Sequence, residues 1–194
     1  MAKDRAGRPE AKPLRLFVAV EIPEHAKEVV WAAVAPWRER FPRARWVPRE
    51  NWHVTLRFLG STWPRLSGWV HEQVGAVAAE HPAFQTRLLA LGAFPSPGRA
   101  RVVWAGLEDR GDRMSALAQA LDASLAREFE PEKRSFRPHL TVARSEPPLR
   151  LPEDFADAGL AGEPFSIGRL VLFRSHLQRP APRYEPLDTF PLSG

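Results

Sequence analysis

Residues 53–56 read His-Val-Thr-Leu, and residues 139–142 read His-Leu-Thr-Val. Each stretch alternates polar and apolar side chains, the period of a strand with one buried face. Side chains two apart project from the same face, so each motif sets an imidazole beside a hydroxyl while its apolar residues pack behind. Working outward from the first motif, residues 46–60 keep this alternation up to Gly60, which marks the expected end of the strand. It places His53, Thr55 and Arg57 on one face and Val54, Leu56 and Phe58 on the other.

The flanking segments supply the remaining elements. Residues 14–20 (LRLFVAV) form an apolar, β-branched strand, and Pro23 opens a helix that runs to about residue 40. Residues 66–80 carry Leu66, Trp69, Val70, Val74 and Val77 at helical spacing, and His81-Pro82 stops that helix. Strands at 84–94 and 101–107 are joined by the Pro-Ser-Pro-Gly turn at 95–98. The second half repeats the order: a helix over 112–129, the alternating strand 137–145 with His139 and Thr141 on one face, then strands at 168–177 and 184–190. The expected fold class is α+β, a duplicated bilobal fold with two mainly antiparallel sheets lining a central cleft and helices packed outside.

A chain of 194 residues, 44% of them hydrophobic, is long enough for one good core and short for two ordinary domains. Residues 1–13 are charged and lack apolar periodicity, so they are expected to be a disordered basic leader before a single domain over 14–194. No apolar run reaches the roughly 20 residues of a membrane span, and a cytoplasmic, monomeric protein is expected. The absence of cysteine excludes disulfides, thiolate nucleophiles and cysteine-bound zinc. A net charge of +5 favours a polyanionic partner. That signal is weak by itself, because only four of the basic residues are lysines and an Arg, Pro and Ala bias also follows from a GC-rich genome.

Six histidines and five threonines would give about 0.15 His-x-Thr matches by chance, so two matches in the same apolar frame are not accidental. Paired imidazoles and hydroxyls suit hydrolysis of a cyclic phosphodiester. One imidazole takes a proton from attacking water, the other protonates the departing ribose oxygen, and the hydroxyls hold the non-bridging oxygens. With an ordinary pKa near 6.5, histidine serves either task at neutral pH. Neither motif has the His-x-His, His-x-x-x-His or adjacent carboxylate spacing of a metal cluster, so no metal or cofactor is expected. No Gly-x-Ser-x-Gly elbow supports a serine hydrolase. His25, His71, His81 and His176 lack the threonine partner and read as structural or exposed. A non-catalytic RNA-binding module is the alternative from another class, and it leaves the paired histidines without a purpose. Trp31, Trp37, Trp46, Trp63, Trp69 and Trp104 read as core or helix packing.

Trp52-His53-Val54-Thr55-Leu56-Arg57-Phe58-Leu59-Gly60 and Phe136-Arg137-Pro138-His139-Leu140-Thr141-Val142-Ala143-Arg144 closely resemble the two signatures of the bacterial and archaeal RNA 2',3'-cyclic phosphodiesterases. These are also called 2'-5' RNA ligases and belong to the two-histidine phosphoesterase superfamily. Arg15 to Val20, Leu91 to Pro95 and Arg183-Tyr184-Glu185 extend the likeness over about residues 14–192. The resemblance implies an RNA or nucleotide bearing a 2',3'-cyclic phosphate as substrate, and the reverse 2'-5' ligation uses the same groups. It implies His53 as proton donor to the leaving 3' oxygen, His139 as proton acceptor from water, and Thr55 and Thr141 as phosphate holders. It also implies that Phe58 and Arg144 sandwich the terminal base, with Arg137 a further substrate-binding candidate. Strand alternation points the other way for Phe58, whose rival reading is core packing; for Arg144 the rival is a surface ion pair.

Overall fold

The computed structural model describes residues 12–152, 155 and 159–194. Of the expected leader, residues 1–11 lie outside the described residues. The described residues form ten strands and three α-helices: β1 (Leu14–Glu21), α1 (Glu24–Arg40), β2 (Arg45–Trp46), β3 (His53–Thr62), α2 (Ser67–Glu80), β4 (Phe84–Thr86), β5 (Leu88–Phe94), β6 (Ala100–Leu107), α3 (Arg113–Leu125), β7 (His139–Leu149), β8 (Phe165–Ile167), β9 (Arg169–His176) and β10 (Arg183–Pro191). The main sheet runs β10-β9-β1-β3-β7-β6-β5, with β2 also on β7, and β4-β8 form a second small sheet. Every strand pair is antiparallel, so the fold is α+β as expected.

The sheet has two halves, β10-β9-β1-β3 and β7-β6-β5 with β2, and they meet through a single register pair, Val54 with Leu140. Both side chains are fully buried. At an antiparallel pair a local two-fold axis exchanges the strands, so it carries His53 onto His139 and Thr55 onto Thr141. The repeat in the sequence thus becomes an approximate dyad in space, with one half of the sheet on either side of that seam.

Alternation explains which face is which. Leu16, Val18 and Val20 of β1 point into the main core with Val30 and Val34 of α1, Val70 and Val74 of α2, and Leu117 and Leu121 of α3. Phe17 and Ala19 point the other way and form a small cluster with Val171, Phe173 and Tyr184. The helices cover the core face, with α2 against β9 and β10 and α3 against β3, and the opposite face holds the cleft. Pro36 lies inside α1 without ending it. At the start of α3 the Asp109 carboxylate accepts the Met114 and Ser115 amides at 2.7 and 3.0 Å, serving donors that the first turn leaves unpaired. None of the described helices is long and apolar enough to cross a membrane.

Several boundaries differ from the sequence reading. The single strand expected over 84–94 breaks at Arg87 into β4 and β5, which belong to different sheets, and the strand expected over 137–145 runs from His139 to Leu149. The strand expected over 46–60 is split, because a 3-10 turn at Arg49–Asn51 interrupts it before His53. Its end is not Gly60: the strand continues to Thr62, and Gly60 takes φ 66 within a register shift. The helix expected to reach residue 129 stops at Leu125.

Candidate active site

The first seven residues of β3 and of β7 run through the same order of half-buried, buried and exposed positions. His53, Thr55, His139 and Thr141 are half-buried on the cleft face, while Val54, Leu56, Leu140 and Val142 are buried behind them. His53 Nδ1 lies 2.8 Å from the Asn51 carbonyl oxygen, and His139 Nδ1 lies 2.7 Å from that of Arg137. A carbonyl only accepts, so each Nδ1 carries the proton and each Nε2 of the neutral ring presents a lone pair. The Thr55 hydroxyl sits 2.9 Å from His53 Nε2 and donates to it. The same device, a ring fixed by the carbonyl two residues earlier, occurs once in each lobe.

Burial is the main force on both rings. Desolvation pushes His53 down to about 4, and the positive charges of Lys27, Arg144 and His139 act in the same direction. His139 is also lowered, chiefly by desolvation, with Arg144 and Arg137 adding to it. The hydrogen bonds to Asn51 and Arg137 oppose these shifts without reversing them. The free cleft therefore holds two neutral imidazoles among cations, an environment completed by an anion.

Two bulges correct the facing of the neighbouring residues. Thr55 pairs with Ala19 and Arg57 with Val18, leaving Leu56 as an extra residue on β3. Thr141 pairs with Trp104 and Ala143 with Val103, leaving Val142 extra on β7. An extra residue shifts the alternation by one. Phe58 is consequently on the same face as His53, not the opposite one: it is 56% exposed and 5.9 Å from Phe17, which itself stacks on His53 at 4.8 Å. Arg57, expected beside His53, turns inward instead. It is 5% exposed and its Nε lies 3.0 Å from an Asp122 carboxylate oxygen of α3. Arg144 is exposed on the cleft face, close enough to depress both histidines, and it is in no ion pair among the described residues.

Arg137 also reaches the site, its guanidinium carbon 5.5 Å from the Phe94 ring and 5.9 Å from the Trp104 ring. Around His53 the cleft is lined by Phe17, Phe173 and Tyr184, with ring centroids 4.8, 6.0 and 5.2 Å from the imidazole. Sequence reading did not single out Phe17, Phe173, Lys27, Asn51 or the cleft role of Trp104. Lys27 comes from α1 and Asn51 from a turn, where no period marks a site residue. The Asn51 side chain, 8% exposed, donates to the Pro182 carbonyl at 2.7 Å and thereby ties the carbonyl that holds His53 to the loop before β10. Trp104 is not simple packing, and Trp31 and Trp63 are 38% and 47% exposed. No group of three or more His, Asp or Glu side chains suited to a metal occurs among the described residues.

Residues 26–179 match the 2'-5' RNA ligase superfamily over most of the chain. The chain belongs to that superfamily. An RNA 2',3'-cyclic phosphodiesterase of Geobacillus stearothermophilus is 31% identical over 92% of this chain, which spans only 57% of that relative's length. One from Thermus thermophilus is 32% identical over 93% of the chain and 91% of its own length. Among solved structures, Escherichia coli LigT complexed with 3'-AMP is 26% identical and superposes with a TM-score of 0.73, over 94% of this chain and all of that one. Superfamily membership accords with the α+β architecture and with the two repeated signatures.

Proposed function

We propose that this member of the 2'-5' RNA ligase superfamily hydrolyses RNA or nucleotide 2',3'-cyclic phosphates to 2'-phosphomonoesters by acid and base catalysis without a metal. The observation that carries the reading is the local dyad at Val54 and Leu140, which sets two His-x-Thr pairs on one face with both Nε2 atoms free of any backbone bond. The names of its relatives as RNA 2',3'-cyclic phosphodiesterases support the same substrate class.

In this reading a cyclic phosphate anion enters between the imidazoles and offsets the desolvation and the surrounding positive charge that keep them neutral. Water attacks phosphorus in line with the 3' oxygen. His139 Nε2 accepts the water proton, and protonated His53 donates from Nε2 to the departing 3' oxygen, leaving the phosphate on the 2' oxygen. A ring whose pKa is pushed to about 4 gives up its proton readily once charged. The Thr55 and Thr141 hydroxyls turn to the non-bridging oxygens, where charge develops in the transition state. Thr55 must leave His53 Nε2 to do so, which frees that atom for the reaction. Phe58 and Arg144 hold the terminal base between an aromatic face and a guanidinium plane, and such stacking tolerates any base.

The test is a ³¹P NMR time course of adenosine 2',3'-cyclic phosphate with purified protein in EDTA. The expected product is the 2'-phosphate at an undiminished rate. An intact substrate, a 3'-phosphate product, or loss of activity on chelation would overturn the proposal. RNA binding that persists with no turnover would favour the non-catalytic alternative.

A further inference from the structure

The two histidines are held alike at Nδ1, but their holders are not built alike. His139 Nδ1 donates to the carbonyl of Arg137, an exposed residue whose own side chain turns to the Phe94 and Trp104 rings. His53 Nδ1 donates to the carbonyl of Asn51, which is 8% exposed. The Asn51 side chain makes a second bond, from Nδ2 to the Pro182 carbonyl at 2.7 Å, 131 residues away in the chain. Pro182 directly precedes β10, and Tyr184, two residues on, stands edge-on to the His53 ring. One amide thus joins the carbonyl that holds the imidazole to the strand that supplies part of its aromatic wall. The 3-10 turn does not need that bond for its own fold. The Asn51 and Trp52 amides close it onto the Pro48 and Arg49 carbonyls, and the Trp52 indole donates to the Val47 carbonyl at 3.0 Å. What the Asn51 side chain adds is a fixed place for its carbonyl relative to β10.

A fixed carbonyl matters because the other partner of His53 cannot choose between the ring nitrogens. The Thr55 hydroxyl beside Nε2 can donate or accept, so it suits either neutral tautomer, whereas a carbonyl only accepts. Burial and nearby positive charge also disfavour the protonated ring, and the bond to Asn51 favours it. We propose that Asn51 is a positioning residue for the acid: anchored at Pro182, it keeps one proton of His53 on Nδ1, so that the catalytic proton is taken up and released at Nε2. The inference rests on the donor role proposed above for His53. The second lobe has no counterpart among the described residues, since the side chain of Arg137 makes no bond that would fix its carbonyl.

The experiment combines steady-state kinetics on adenosine 2',3'-cyclic phosphate with histidine ¹⁵N NMR at neutral pH, on the wild type, Asn51→Leu and Asn51→Ala. Leucine nearly matches asparagine in shape and donates nothing; alanine carries the comparison if the leucine variant does not fold. The wild type should show neutral His53 protonated at Nδ1 alone. The folded variant should lose about 10- to 100-fold in kcat, the scale of a misplaced catalytic group, with KM within about twofold and His53 divided between its tautomers. His139 should keep its wild-type pattern in the same spectra and serves as the internal reference. A folded variant with unchanged kcat overturns the inference, as does one with lower kcat whose His53 is still protonated only at Nδ1. A wild-type ring protonated at Nε2 overturns it without any variant. A wild type inert on the cyclic phosphate sinks the parent reading and this one with it, and an intact NMR pattern tells that failure from the others.

Discussion

Acidification should destabilise this protein through His53, and the size of the effect follows from its surroundings. The ring is pushed to about 4 in the folded chain and returns to near 6.5 when unfolded. Because the folded value is the lower one, the unfolded chain takes up the proton first as pH falls. Stability is therefore intact above pH 6.5, declines between 6.5 and 4, and levels off below. Linkage over that interval gives a loss of about 2 kcal/mol between pH 7 and pH 5 from His53 alone. His139 is lowered too and adds a loss of the same sign. Urea unfolding at pH 7 and pH 5, on wild type and His53→Gln, isolates the contribution, since glutamine does not titrate. The variant should lose about 2 kcal/mol less than wild type over this range. Parallel losses in the two proteins would refute the picture of a desolvated, neutral imidazole.

Further outcomes follow from the same site. Since both histidines are lowered and catalysis needs one proton on the pair, kcat/KM should fall by about tenfold per pH unit above pH 7; a plateau from pH 7 to 9 would contradict this. Phe58→Ala, at an exposed position, should raise KM for nucleoside cyclic phosphates about tenfold while inhibition by inorganic phosphate stays unchanged, which steady-state kinetics will check. Asp122→Ala removes the carboxylate beside the buried Arg57 guanidinium and should cost about 2 kcal/mol in urea unfolding, less than the roughly 3–5 of a fully enclosed pair because Asp122 is partly open to water and Arg57 keeps its hydrogen bond to the Glu130 carbonyl oxygen. Its KM should not move.

What could be read from the amino-acid order was whatever repeats with a period. Alternation around His53 and His139 located both motif strands, and helical spacing at Val70, Val74 and Val77 located α2. The matched motifs foretold a two-lobed antiparallel arrangement. A single extra residue, by contrast, leaves no mark in composition. The bulges at Leu56 and Val142 reverse the facing of Phe58, Arg57 and Arg144, and only the register with β1 and β6 reveals them. Resemblance assigned Phe58 and Arg144 to the base where period alone would have buried Phe58. Lys27 and Asn51 escaped notice because Lys27 acts on His53 by its charge from a helix, while Asn51 stands in a turn and bonds to Pro182, distant in the chain. Trp104 looked like core until Gly92 and Gly106 showed why it lies flat against the backbone.

The most direct measurement is the rate of adenosine 2',3'-cyclic phosphate hydrolysis by His53→Ala, His139→Ala and the double variant, in EDTA. If the two rings share one phosphorus as acid and base, each single substitution should cost about 10² to 10⁴ in kcat, and the double little more than the worse single. A single variant that keeps near-normal turnover, or two losses that multiply as independent effects, would contradict it.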